Sequence, residues 1–232
     1  MKLNIRFFRG VIANVIIAAV VAGISLVGFT GGTVTASTDA KPAYKGSSTD
    51  KVSLMFNVYQ GAQYLDKILD ALDEYGVKTT FFVGGCWVRD NENSFKKIVG
   101  RGHEIGNHGF FHRDHAKLDA RGNAEEINAC HELVKSVSGV EMNLFAPPSG
   151  SYSRKTLDIA DEKGYTTVMW SKDTIDWRDK DENVIFTRAT KNVSGGDLIL
   201  MHPTEATANV IGKVLCTLKE RGLTVSPVSK VL

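Results

Sequence analysis

From Lys51 to the C-terminus, short apolar runs bounded by turn residues alternate with amphipathic ones, and this alternation limits the chain to one broad architecture. Val52 to Val58 reads as a strand, and Tyr64, Leu65, Ile68, Leu69 and Leu72 recur at helical spacing. Thr79 to Val83 is again strand-like, Phe95 to Val99 helical and His103 to Ile105 extended. The pattern then predicts a helix over Ala124 to Val137, a strand at Met142 to Phe145, a helix at Arg154 to Lys163 and a strand at Thr166 to Trp170. A helix at Val184 to Thr190, a strand at Asp197 to Met201, a helix at Ala206 to Arg221 and a last strand at Leu223 to Pro227 complete it. Strands separated by helices pair in parallel, so the expected class is α/β, and six or seven such units in about 180 residues suit one compact barrel better than two domains.

The N-terminus is different in kind. Lys2, Arg6 and Arg9 precede an apolar run from Val11 to Phe29, broken only by Asn14, Gly23, Ser25 and Gly28. A basic start followed by such a run is an export signal. The run is nearly long enough to span a bilayer, so the two expectations are a signal peptide over residues 1–36, cleaved after Val34-Thr35-Ala36, or an uncleaved membrane anchor. Either way the positive flank stays in the cytoplasm and the rest lies outside, secreted or anchored to the membrane. Residues 37–50 are polar, with Pro42 and Gly46, and read as a linker; the folded domain is expected over residues 51–232.

A formal net charge of +2, with no basic run, gives no support for nucleic-acid binding. Cys86, Cys130 and Cys216 are an odd number without C-x-x-C spacing, which suggests neither a cysteine zinc site nor a disulfide framework. Cys130 and Cys216 fall within helical apolar patterns and are expected to be small buried residues. A monomer is the expected state.

Three of the six histidines crowd into Gly106 to His115, and His108 and His112 stand four apart. On a helical turn that spacing would converge two imidazoles on one metal ion; alone, it equally fits packed or surface histidines. In a parallel barrel, catalytic groups belong at the C-terminal ends of strands. There the chain reads Asn57-Val58-Tyr59-Gln60-Gly61, Asn107-His108 with His112, Ala146-Pro147-Pro148-Ser149-Gly150, Asp173-Thr174-Ile175-Asp176-Trp177 and His202-Pro203.

Taken in order, these stations resemble the polysaccharide deacetylases, the NodB-homology enzymes of carbohydrate esterase family 4. The resemblance covers nearly all of residues 51–232. Its strongest parts are N-H-x-x-x-H at Asn107 to His112, F-x-P-P-x-G at Phe145 to Gly150, D-x-x-D-W at Asp173 to Trp177 and L-x-L-M-H at Leu198 to His202. The resemblance implies a deformed (β/α) barrel, a divalent metal such as zinc, and hydrolysis of N-acetyl groups on chitin-like or peptidoglycan glycans. It also implies that His108 and His112 hold the metal and that His202 is the catalytic acid. Asp173 or Asp176 would orient His202, while Trp177, Pro148, Ser149 and Tyr59 would line the substrate groove. His103, His115 and His131 match no catalytic position.

Two stations depart from the family pattern. Where the family reads T-F-D-D-G the chain reads Met55-Phe56-Asn57-Val58, so Asn57 stands at the catalytic base and Val58 at a metal-binding aspartate. Where the family reads R-P-P-Y-G, Ala146 replaces the arginine and Ser149 the tyrosine. That arginine normally pairs with the base aspartate, and losing one partner alone would strand a buried charge at about 3–5 kcal/mol. Here both are gone, as in a remodelled site. The expected function is metal-dependent deacetylation of a cell-surface glycan; the alternatives are a glycan-binding descendant without turnover and a metal-dependent amidohydrolase acting on a non-glycan amide.

Overall fold

The computed structural model describes residues 40–232; the signal or anchor expected over residues 1–36 lies outside the described residues. Among the described residues no helix is long and apolar enough to cross a membrane. The chain runs β1 (Lys51–Val58), α1 (Leu65–Glu74), β2 (Thr80–Val83), α2 (Gly85–Asp90), α3 (Glu92–Gly100), β3 (Glu104–Asn107) and α4 (Ala120–Ser138). It continues β4 (Leu144–Phe145), α5 (Arg154–Glu162), β5 (Thr166–Thr167), β6 (Lys172–Asp173), α6 (Glu182–Thr190), β7 (Leu198–Met201), α7 (Glu205–Glu220) and β8 (Thr224–Val225). All strand pairs are parallel, in the order β5-β4-β3-β2-β1-β7-β6, with β8 added to β1. This curved sheet with helices outside it is the deformed (β/α) barrel expected from the sequence.

Register brings the functional ends together. Val58 pairs with Val83, Val83 with Asn107, Asn107 with Phe145 and Phe145 with Thr167. On the other side Phe56 pairs with Met201 and Leu200 with Asp173. The residues that follow each strand therefore emerge at one end of the sheet, where parallel barrels build their sites.

β1 is buried almost throughout because a parallel strand is covered on both faces. Its alternate side chains part company. Val52, Leu54, Phe56 and Val58 join the large cluster between sheet and helices, where Phe56 and Phe81 stack at 4.9 Å, whereas Met55 packs inside with Phe82, Ala146, Leu198 and Leu200. With a period of two, Asn57 faces the interior with Met55.

His103 fills the start of β3 against the Phe81 ring, with centroids 5.1 Å apart. Its Nδ1 accepts from the Thr79 N–H at 3.3 Å, and its Nε2 is buried without a partner. Burial, reinforced by Lys78, pushes the imidazole down to about 4. The unfolded chain would therefore take up a proton near pH 6.5 that the folded chain refuses until about pH 4. The stability from neutral His103 should be complete above pH 6.5 and drain away as pH falls toward 4. Thermal melting between pH 7.5 and 4 is expected to show this loss, and His103→Phe should reduce it, the remainder coming from His108, His112 and His115, which burial also lowers.

Four regions differ from the sequence pattern. Residues 40–50, expected as a linker, lie along the barrel: Ala43 bridges Val168, Lys45 bridges Asp197, and the Gly46 N–H donates to the Gly196 carbonyl at 2.8 Å. Helix α2 and strand β6 are additions, both too short to show a period. His108 to His112 is not a helical turn, because Gly109 (φ 72°) and His112 (φ 57°) are left-handed; the segment is a loop. Among the cysteines, Cys130 is buried and its thiol is pushed up to about 12, while Cys86 and Cys216 are half-buried and all three are free.

Candidate active site

A cavity of about 270 Å³ at the C-terminal end of the sheet is lined by Asn57, Tyr59, His108, His112, Ser149, Trp170, Asp173, Trp177, Leu200 and His202. Eight of these ten were singled out from the sequence. Trp170 and Leu200 were not, because nothing marks them as other than core. Pro148 is buried outside this lining, against the Gly109 loop. Asp176 lies beneath His202, and Trp177 stands at the rim, 57% exposed. Wider cavities of about 660 Å³ and 320 Å³ share Trp177 on one side and Tyr59 with His112 on the other.

His108 is buried and its Nδ1 lies 2.7 Å from the Ala146 carbonyl oxygen. A carbonyl only accepts, so Nδ1 carries the proton and Nε2 keeps its lone pair for a ligand. The His112 ring stacks on Tyr59 with centroids 3.7 Å apart and lies 5.0 Å from the His108 ring. Burial pushes His108 well below the ordinary imidazole value and lowers His112 as well, so both are neutral at neutral pH, the form that binds metal.

Of the two aspartates, it is Asp176 that contacts His202. Asp176 is buried; its Oδ1 accepts from His202 Nδ1–H at 2.7 Å, and its Oδ2 accepts from the His202 N–H at 2.7 Å and the Thr207 hydroxyl at 2.5 Å. This fixes the His202 tautomer and leaves Nε2 for the cavity. Asp173 instead closes the turn after β6, its Oδ1 accepting from the Ile175 N–H at 2.8 Å where Ile175 has φ 53°. Arg188 of α6 holds the same loop by donating to the Thr174 carbonyl at 2.9 Å. Thr207 belongs to the first turn of α7, capped by Thr204.

The departures have structural counterparts. Asn57 Oδ1 is buried without a hydrogen-bond partner, and Ala146 is enclosed in the interior cluster. Val58 has turned to the other layer and packs in the apolar cluster. Ser149 holds φ 54°, and a Cβ on the following Gly150 would stand 2.8 Å from the Trp170 ring, which accounts for the glycine.

Two neutral imidazoles sharing one tetrahedral ion at about 2.0–2.1 Å have centroids roughly 5 Å apart, which the His108–His112 separation of 5.0 Å matches. Among the described residues no third His, Cys, Asp or Glu completes a cluster with them. The pair is thus one ligand short of the three-protein-ligand arrangement usual for catalytic zinc.

A parallel (β/α) barrel thus carries a histidine pair facing a histidine–aspartate dyad across one cavity. A family model described as polysaccharide deacetylase matches residues 45–168, and the chain belongs to that family. The Bacillus subtilis (strain 168) protein YlxY is 40% identical over 198 residues, 84% of this chain, and the chain spans 62% of YlxY. The peptidoglycan-N-acetylmuramic acid deacetylase PdaA of the same strain is 32% identical over 188 residues, covering 78% of this chain and 71% of PdaA. Among solved structures, a family CE4 pseudoenzyme from Bacillus anthracis superposes with a TM-score of 0.81 at 32% identity, covering 83% of this chain and 69% of that one.

Proposed function

We propose that this protein removes N-acetyl groups from a peptidoglycan- or chitin-like glycan outside the cytoplasmic membrane, reached through an N-terminal signal or anchor over residues 1–36. The observation that carries this reading is the intact His202–Asp176 dyad facing neutral His108 and His112 in one cavity. The naming of PdaA as a peptidoglycan deacetylase supports the substrate class. His108 and His112 would hold the divalent metal, zinc being the expected ion; bound there, it polarises an acetyl carbonyl and acidifies water. His202, as imidazolium, donates from Nε2 to the departing amine, and Asp176 stabilises that charge and fixes the ring. Asn57 has no lone pair basic enough to take a proton from water, so turnover lacks its usual general base, a loss of about 10²–10⁴ in rate. Trp177, Tyr59 and Ser149 border the acetamide's approach, and the wide cavity beyond Trp177 leaves room for the rest of a glycan chain.

A second reading, glycan binding without turnover, is favoured by one observation: the side chain at position 58 lies in the apolar layer and supplies no ligand. Acetate release from a panel of N-acetylated glycans, with zinc, cobalt or no metal, separates the two. The deacetylase reading expects slow, metal-dependent release that His202→Ala abolishes without unfolding. Binding that is insensitive to His202→Ala, with no acetate under any metal, would leave only the second reading. Calorimetry should show weak metal binding, and its persistence in the His108→Ala/His112→Ala double variant would remove those residues as ligands.

A further inference from the structure

The loop between His108 and His112 has no regular structure to keep it in place, yet the peptide groups along it are held by neighbouring elements. The Gly109 N–H donates to Asn107 Oδ1 at 2.9 Å, and the Gly109 and Phe110 carbonyls accept from the Gly85 and Cys86 N–H groups in the first turn of α2, both at 2.9 Å. The N–H groups of Phe110 and Phe111 then converge on one atom, Oε2 of Glu126, each at 2.9 Å. Successive N–H groups after a left-handed residue form an anion-binding concavity, and here the anion is a side chain of the protein itself. Glu126 lies on α4, only 2% exposed, on the stripe that also carries Asn123, Ile127 and Cys130. A carboxylate so enclosed is retained only where its acceptor capacity is used.

We propose that Glu126 is the positioning residue for the histidine pair: its carboxylate fixes the 108–112 loop in the left-handed course that turns His112 back toward His108. It touches neither substrate nor metal and acts only through the loop. Gly109 belongs to the same device, since a Cβ there would stand 3.2 Å from Glu126 Oε2 and 3.1 Å from His115 Nε2. A neutral acceptor of equal reach would serve the two N–H groups nearly as well, whereas its removal takes away the acceptor that both part-buried donors share. The inference rests on reading His108 and His112 as ligands, and its consequence is second-sphere control of metal affinity, typically 10–100-fold.

The test compares the full chain with Glu126→Gln and Glu126→Ala by two readouts. In metal-free protein, amide hydrogen exchange is expected to show Phe110 and Phe111 protected in the native chain and in Glu126→Gln. Both should be fast in Glu126→Ala, while β1 and β7 amides are unchanged. Zinc titration followed by calorimetry is expected to give close to native affinity for Glu126→Gln and about 10–100-fold weaker binding for Glu126→Ala. Should Glu126→Ala fail to fold, Glu126→Asp, shorter by one methylene, takes its place. Native protection and native zinc affinity in the truncated variant would overturn the proposal, as would an equal loss of protection in β1 and β7. If the native chain itself binds no zinc, the ligand reading falls, and the exchange pattern alone decides the clamp.

Discussion

Asn57→Asp combined with Ala146→Arg is expected to raise kcat/KM for acetate release by about 10²–10⁴ over the native chain, the usual contribution of a positioned base. Both positions face the barrel interior, and the unpartnered Asn57 Oδ1 marks where a partner is missing. Either change alone should fail. With Asn57→Asp by itself, the new carboxyl in that enclosure would stay protonated, and a lone arginine would be an unpaired buried charge costing about 3–5 kcal/mol. The double variant also adds bulk to a filled cluster, so its melting temperature is expected to fall even as activity rises. Val58→Asp belongs to a different layer and should behave differently. Without metal it places a carboxyl in the cluster of Phe56, Leu65 and Trp87 and destabilises the fold; zinc should restore the melting temperature if the new carboxylate reaches the histidine pair. A double variant no faster than the native chain, with zinc bound, would show that the base is not what turnover lacks.

Asp176→Asn is expected to reduce acetate release by about 10³–10⁴ while retaining the side-chain volume, as a wrong-tautomer substitution does in other histidine dyads. Three donors converge on this carboxylate, from His202 Nδ1–H, the His202 N–H and Thr207. An amide offers one acceptor oxygen and brings an NH₂ group that faces a donor. Thr207 can rotate its hydroxyl away; the backbone N–H cannot. Stability should therefore fall along with activity, and Thr207→Val, which removes one donor and leaves the dyad, should cost far less activity. Comparing kcat with melting temperature across the two variants separates loss of the proton donor from loss of fold.

The fold was legible because a parallel strand covered on both faces is mostly apolar and its crossover helices amphipathic, as at Val52 to Val58, where only Ser53 and Asn57 are polar, and at Leu65, Ile68, Leu69 and Leu72. The candidate site residues could be singled out because their stations lie at or just past strand ends. What periodicity could not give was local. Gly109 and His112 break the helical turn through backbone angles that spacing does not encode. The layer to which Val58 turns depends on strand phase at its last residue. The division between Asp173 and Asp176 depends on a turn closed by Ile175. Glu126 did leave a signal, an acidic residue on the same helical stripe as Ile127, Cys130 and Val134, where burial demands a buried partner. Thr207 left a weaker one, as the fourth residue of a T-x-x-T cap following His202-Pro203.

The pairing of β1 with β7 and β8 joins Lys51–Phe56 to residues 198–201 and 224–225, nearly the full span of the barrel. Such distant pairings make folding slow, since loop closure must precede any stabilising contact. During synthesis, the strand that carries Asn57 can have only β2 of its three neighbours until β7 is made. The cavity that brings Asn57 together with His202 therefore cannot form before residues 198–202 have been supplied, however early the first strands and helices are made.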